Sequence, residues 1–475
     1  MKRRPSRARP STDQSRRQRL PESVGIVTID RIAAGGDGVG RIDGLAVFVP
    51  RTAPGDVVQV AYVTHARHGR GRVLQVITPS PLRVTPPCVH YERDGCGGCQ
   101  LQHLASEAQR DARQHIVQDS LARIGRRDVP LPTLEHGEAW AYRSRLSLTL
   151  RRRGSSWVGG LHPHDDPTRV FALESCRIAH PELVAVWESV RQTIRRGDLA
   201  LPGTALPSGA VVPCDVLRLH LRLAPVSAGA ETGSVSVVLQ GGTAWPDEQA
   251  WTTAVQSADA RIGGVWWTPD RVALRAADRR SAPPDRTATV VDYAPQGREA
   301  LAFSQVNSEI AGALREFVYS AVAQFRAAHV IDGYAGAGEL SARWLADGIA
   351  VTAIEADPAG AETAAARFRA LGDAGRRGHV VCDLMEQAIA SIDGAPDVVV
   401  LNPPRRGVHP DVAAWLEASD QRGVKGIVYI SCDPATLARD LARLPSWRIA
   451  GIRCFDMFPQ TSHVESVCVL RREDA

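Results

Sequence analysis

The chain has 475 residues, 44% of them hydrophobic and 23% charged, which are ordinary values for a soluble globular protein with room for two to four domains. No apolar stretch approaches the ~18 to 20 residues that span a bilayer, and the N-terminus lacks an apolar leader core, so a cytoplasmic protein without membrane association is expected. Nine cysteines in a reducing compartment point away from disulfides and towards packed thiols, a metal or cluster site, or a nucleophile.

The formal net charge of +5 is unevenly placed, because residues 1–20 are basic, Pro/Ser-rich and without apolar periodicity. That composition predicts a disordered arm able to hold a polyanion through phosphate contacts. Residues 21–80 then alternate short β-branched runs, such as SVGIVTIDRIA and GDVVQVAYV, with glycine turns. Several short strands at this spacing predict a small antiparallel β-barrel. Its basic residues, including Arg31, Arg41, Arg51 and the HARHGRGR loop, suit a nucleic-acid platform. GGDGVGR and VPRTAPGDVV resemble the TRAM domain, an OB-like RNA-binding module, which implies RNA as a partner.

Residues 81–300 predict a β-rich central domain that opens with a cysteine cluster. Cys88, Cys96 and Cys99 form C-x7-C-x2-C, a pair tightened by Gly97-Gly98 can present two thiolates to one centre, and Cys176 is the best fourth ligand. A 4Fe–4S cluster and a structural zinc site both satisfy that spacing. The run resembles the cluster-binding segment of the RNA 5-methyluridine methyltransferases, where Cys-Gly-Gly-Cys-Gln is joined by a distant fourth cysteine, and the resemblance implies the cluster. Leu104 to Ile124 fits an amphipathic helix, expected to pack on the catalytic domain. From residue 140 to residue 295 strand character returns, with polar and apolar residues alternating in AYRSRLSLTLRRR and VLRLHLRL as half-buried antiparallel strands require. Arg143, Arg145, Arg151, Arg152 and Arg153 are candidate phosphate contacts there.

Residues 301–475 change texture to apolar strands alternating with Ala-rich helical stretches, the signal of a mostly parallel sheet covered by helices. The first strand enters GYAGAG, a glycine-rich turn that lets backbone approach a ligand closely. Later strands end at Glu355, Asp383 and Asn402, so four ligand-type positions follow four successive strands. An acidic second strand and a polar third suit S-adenosyl-L-methionine better than NAD. In NPPRRG, Arg405 stands where enzymes that methylate exocyclic amines carry an aromatic residue, so another target atom is implied. Carbon 5 of uracil fits, and it requires a thiolate to add at C6 and a base to remove the C5 proton. Cys432 lies between a strand and the Asp433-Pro434 start of a helix, where the N-terminal partial charge favours thiolate. Glu465 in the closing turn is the candidate base, with His463 as the runner-up.

FSQVN, DGYAGAGE, IEAD, NPPRRG, YISCDP and DMFPQTSHVES occur in this order, and together they resemble the RNA 5-methyluridine (uracil-C5) methyltransferase family. The resemblance implies a Rossmann-like α/β catalytic domain, Cys432 as nucleophile and Glu465 as base. It also implies that Gln305, Tyr334, Glu339, Glu355, Asp383 and Asn402 line the S-adenosylmethionine pocket. The combination of TRAM and cysteine cluster resembles the 23S ribosomal RNA branch. A tRNA T-loop enzyme and a non-catalytic RNA-binding protein that retains the fold are the alternatives.

Overall fold

The structure, a computed structural model, describes residues 22–224, 234–270, 305–392, 396–418 and 423–472. The basic arm and the first part of the FSQVN phrase lie outside the described residues. Two compact units divide the chain, Met1–Arg83 and Val84–Ala475.

In the first unit, β1 (Glu22–Ile32), β2 (Gly38–Ile42), β3 (Leu45–Val49), β4 (Val57–His65) and β5 (His68–Thr78) close into a barrel in the order β1-β2-β3-β5-β4. Its core is β-branched, with Val27, Ile29, Val47, Val49, Val58 and Val60 buried together. Gly40 is required by close approach, since a Cβ there would lie 2.0 Å from the Thr28 carbonyl oxygen. Asp56, fully buried, closes the barrel by accepting from the Ala53 and Ser80 N–H groups and from Arg83 at 2.7 Å. Burial alone would raise its pKa, but these donors outweigh it and hold the carboxylate below its usual range.

The second unit begins with α1 (Val89–Arg93), α2 (Ser106–Arg123) and β6 (Thr133–Glu135). There follow β7 (Arg145–Arg153), β8 (Ser156–Leu161), β9 (Phe171–Ala172), α3 (Pro181–Arg196), β10 (Gly203–Ala205), β11 (Val211–Pro213), β12 (Val216–Leu223), β13 (Val235–Gln240), α4 (Glu248–Ala258) and β14 (Ile262–Thr268). Strands β14-β13-β12-β7-β8-β9 form a six-stranded sheet, antiparallel except for the β13–β14 pair, and β10-β11 make a separate ribbon. The alternation read in VLRLHLRL is real, with Leu217, Leu219 and Leu221 buried and Arg218 exposed. Helices α3 and α4 interrupt the strand-like region. The first carries Leu183, Val186, Trp187 and Val190 at helical spacing, and both close over the sheet's inner face.

The catalytic half comprises α5 (Ser308–Ala323), β15 (His329–Gly333), α6 (Glu339–Ala346), β16 (Ala350–Ile354), α7 (Pro358–Ala370), β17 (Gly378–Val381), α8 (Met385–Ala388), β18 (Val398–Leu401), α9 (Pro410–Glu417), β19 (Gly426–Ser431), α10 (Pro434–Leu441), β20 (Trp447–Phe455) and β21 (Glu465–Arg472). The eight-stranded sheet runs β17-β16-β15-β18-β19-β21-β20-β6. Strands β15 to β19 are parallel, β21 is antiparallel to both its neighbours, and β6 joins the far edge parallel to β20. Strands β18 and β19 are buried along their whole length, as a sheet covered on both faces demands. Two helix starts follow one device. Asp357 and Asp433 accept from the N–H groups of Gly360 and Thr436, each with proline at the first helical position, and such a cap contributes about 1 kcal/mol.

Helix α2 packs against α10, but its buried face is mixed rather than apolar. Ile116 and Leu121 are buried as expected, whereas His115 and Ile124 are exposed and Gln109, Arg113 and Ser120 face inward.

Candidate active site

Five consecutive parallel strands each release the chain at the same edge of the sheet. Tyr334 follows the end of β15, Glu355 that of β16, Asn402 that of β18 and Cys432 that of β19, each by one residue, and Asp383 follows β17 by two. Strand order reverses between β15 and β18, and in open α/β sheets ligands bind in the crevice at such a point. The glycine-rich turn is built for close approach. Tyr334, Gly336 and Gly338 have φ of +62°, +55° and +70°, and no atom lies within 4 Å of where a Cβ on Gly336 would stand. Glu355 braces the turn by accepting from the N–H groups of Gly336 and Asp357, both at 2.7 Å. Burial pushes the Tyr334 hydroxyl up to about 12.

The remaining pocket candidates are less alike. Asp383 is exposed and accepts from the Leu384 N–H at 2.7 Å, and exposed Asn402 is tied by its N–H to the Gly333 carbonyl at 3.1 Å. Gln305 precedes Val306, whose carbonyl accepts from both the backbone and the hydroxyl of Ser144. Glu339 is turned towards α5: its carboxylate, 63% exposed, lies 3.6 Å from Arg315.

The nucleophile and base candidates meet through a strand ladder. The β19–β21 pairing is antiparallel and includes Ser431↔Ser466, so one step further along it Cys432 stands opposite Glu465. Directly opposite residues on such a pair have Cβ atoms ~4.5–5.5 Å apart. Burial raises the Cys432 thiol, the Glu465 carboxylate raises it further, and Arg405 opposes both. The thiolate preference read from the helix N-terminus is therefore outweighed in this apolar, acidic setting. Glu465 is 5% exposed, and burial pushes its carboxyl up to about 7 against the pull of Arg405. His463 is half-buried and held neutral by burial and by Arg405, with its ring edge-on to Phe458 at 6.0 Å between centroids.

The Arg405 charge thus lowers the pKa of Cys432, Glu465 and His463 alike, although the sequence marked it only as a non-aromatic residue in NPPRRG. Its loop is locked to α10. Thr436 donates to the Arg405 carbonyl at 3.0 Å and Arg439 to that of Arg406 at 2.6 Å, while fully buried Asp440 accepts from the Val408 N–H and the Tyr429 hydroxyl. Gly407, with φ of +79°, is required there because a Cβ would fall 2.1 Å from the Asp440 carboxylate.

Cys88, Cys96, Cys99 and Cys176 line one cavity of about 170 Å³ together with Arg143 and Arg145, and all four are free thiols. Burial pushes Cys99 up to about 12, and each of the other three adds charge repulsion. No group of three or more His, Cys, Asp or Glu among the described residues is arranged to hold a metal ion.

A doubly wound sheet with a glycine-rich first turn and polar residues at successive strand ends defines a nucleotide-cofactor-binding α/β domain, and the chain also carries a closed five-stranded barrel. Comparison with known proteins carries this further. The tRNA (uracil-5-)-methyltransferase family model matches residues 387–473 and the TRAM domain model matches residues 23–71. An uncharacterised RNA methyltransferase of Thermosynechococcus vestitus is 31% identical over 93% of this chain and 96% of its own length. The 23S rRNA (uracil(1939)-C(5))-methyltransferase RlmD of Thiobacillus denitrificans is 30% identical, over 94% and 99% respectively. The solved Pyrococcus abyssi tRNA (uracil-54, C5)-methyltransferase, in complex with S-adenosyl-L-homocysteine, superimposes with a TM-score of 0.65 at 22% identity, covering 94% of this chain and 99% of that one. The chain belongs to the RNA uracil-C5 methyltransferase family. Among the described residues no helix is long and apolar enough to cross a membrane.

Proposed function

We propose that this enzyme methylates C5 of a uridine in 23S ribosomal RNA, with Cys432 as nucleophile and Glu465 as base. The carrying observation is the β19–β21 register, which runs to Ser431↔Ser466 and whose next step would pair Cys432 with Glu465 at the carboxyl edge of the sheet. Cys432 gives up its thiol proton to solvent and bonds through Sγ to C6 of the flipped uracil, and the C5–C6 electron pair moves onto the C4 oxygen as an enolate. The glycine-rich turn and the residues at the ends of β15 to β18 would hold S-adenosylmethionine, which would supply its sulfonium methyl to C5 and leave as S-adenosylhomocysteine. Glu465 then removes the C5 proton; the electron pair re-forms the C5–C6 double bond and expels the Cys432 thiolate. A carboxyl with a pKa of about 7 suits that task, since it is a stronger base than an ordinary glutamate yet still substantially ionised near neutrality. Arg405 offsets negative charge on both partners.

The RNA assignment rests on the ribosomal relatives that match the whole chain. Mapping 5-methyluridine in rRNA and tRNA from cells with and without the gene tests it: loss of one 23S rRNA site is expected, and loss confined to tRNA would overturn it. For the mechanism, wild-type enzyme should form a denaturant-stable adduct on RNA carrying 5-fluorouridine at the target. An adduct that persists with Cys432→Ala would sink the nucleophile assignment.

We further infer that Cys88, Cys96, Cys99 and Cys176 bind a 4Fe–4S cluster. The four thiols line one cavity, and the resemblance of the Cys-Gly-Gly-Cys-Gln run to the family's cluster-binding segment supports the cluster over a structural zinc site, which four thiolates would also suit. The reaction needs no electron from such a group, so its contribution would be to hold these loops together. Iron and acid-labile sulfide measured on anaerobically purified protein check this, and stoichiometric zinc instead would refute it.

A further inference from the structure

The peptide bonds of the turn before Glu465 are held from outside the catalytic half. Directly after Cys99, the N–H groups of Gln100 and Leu101 both donate to the carbonyl oxygen of Gln460 at 3.0 Å. On either side, the Tyr142 hydroxyl donates to the Pro459 carbonyl at 3.0 Å and Arg113 Nη1 to the Thr461 carbonyl at 2.8 Å. Three successive carbonyls of the turn are therefore fixed by segments that precede β7. Gln460 itself is 2% exposed and has φ of +71°, a left-handed conformation that a non-glycine residue keeps only where its surroundings impose it. Gln109 imposes it from α2, donating to Gln460 Oε1 at 3.0 Å and accepting from the Gln460 N–H at 3.2 Å.

These donors border the cysteine cavity. Gln100 adjoins Cys99, and the residues flanking Tyr142 donate through their backbone N–H groups to the carbonyls of Arg177 and Ile178, next to Cys176. Among the described residues no hydrogen bond links the turn to Tyr334, Glu355 or Asn402, so a disturbance here is expected to leave those three in place.

We propose that Gln460 is a positioning residue for proton removal, its strained peptide held by the cysteine-bearing loop so that the turn presents Glu465 to C5. The inference rests on the reading of Glu465 as the base. Positioning errors of about 1 Å cost on the order of 10²-fold in rate, and a displaced base slows elimination after the methyl has moved. The methylated covalent enzyme–RNA complex should then accumulate.

The test uses full-length Gln460→Ala and Tyr142→Phe with the RNA identified by the mapping above and labelled donor, following free product and the adduct on denaturing gels. Gln460→Ala should lower product release by about 10²-fold, raise the adduct fraction and leave the KM for the donor within about twofold. Gln460→Gly, which accepts the left-handed φ, should recover part of the rate. Tyr142→Phe removes one hydroxyl from a side chain that still packs, and should shift rate and adduct the same way by about tenfold or less. Adduct and product falling in parallel in both variants, or a changed KM at constant kcat, would overturn the inference. Glu465→Gln separates the two readings. If it releases product normally, the base assignment fails; if it accumulates adduct while Gln460→Ala and Tyr142→Phe behave as wild type, only the positioning role fails.

Discussion

The carboxyl edge of the parallel sheet and the cysteine cavity are both candidate sites, yet they are assembled by different means. At the sheet edge, each side chain stands one or two residues past a strand, so backbone pairing alone delivers Tyr334, Glu355, Asp383, Asn402 and Cys432 to one crevice. At the cavity, Cys88, Cys96, Cys99 and Cys176 come from loops, with β7, β8 and β9 intervening in sequence. The first site depends on secondary structure, the second on tertiary bonds that hold loops in place. Chemistry should therefore fail sharply at the first when one atom is removed, and stability should fail first around the second.

The largest expected loss is in Cys432→Ala, which should reduce methyl transfer by about 10³-fold or more in a labelled-donor assay while circular dichroism and melting stay near wild type. Glu465→Gln should cost about 10²–10⁴-fold in product release and also separate activity from stability. The Glu465 carboxyl, at about 7 in the fold against an ordinary 4.5, ionises more readily in the unfolded chain, so its ionisation opposes folding. That penalty is absent below pH 4.5, grows between there and about 7, and is constant above. The glutamine variant should consequently be more stable than wild type at pH 8 by on the order of 3 kcal/mol and equally stable at pH 4, measured by denaturant unfolding. In wild type, product release should fall about tenfold per pH unit below this pKa.

Arg113→Ala probes the tertiary side. Arg113 is 1% exposed and 2.6 Å from buried Asp456, so its removal leaves an unpaired buried carboxylate and should cost about 3–5 kcal/mol. The smallest effect is expected for Asp440→Asn. The carboxylate beneath NPPRRG accepts from Val408 and Tyr429 and pairs with Arg439 and Arg443, and the amide should cost about 1–3 kcal/mol in denaturant unfolding, with a modest loss of activity.

The same contrast explains what could be read before folding. Strand ends, the Asp433-Pro434 helix start and the glycine turn follow from local chemistry, and those elements form where that chemistry places them. The barrel was legible for the same reason, from its glycine-punctuated β-branched runs. Arg113 and Asp456 were invisible because nothing local marks two charges 343 positions apart as a buried pair. Helix α2 was misjudged in detail because its packed face carries Gln109 and Arg113, which hydrogen-bond the closing turn instead of joining an apolar stripe. Gln460 gave no signal at all, since a left-handed glutamine has no sequence signature apart from the surroundings that impose it.

The short strand β6 has a consequence for how this chain can be cut. It completes one margin of the eight-stranded sheet although it precedes the whole six-stranded sheet in sequence, with the Asp456 N–H donating to the Glu135 carbonyl at 2.8 Å just beyond it. In topological terms the segment from β7 to β14 is an insertion within the methyltransferase fold, flanked by pieces of the same sheet. A truncation that starts at α5 would strip the β20 margin bare and expose the buried face of α10, leaving an aggregation-prone fragment in place of a severable catalytic module.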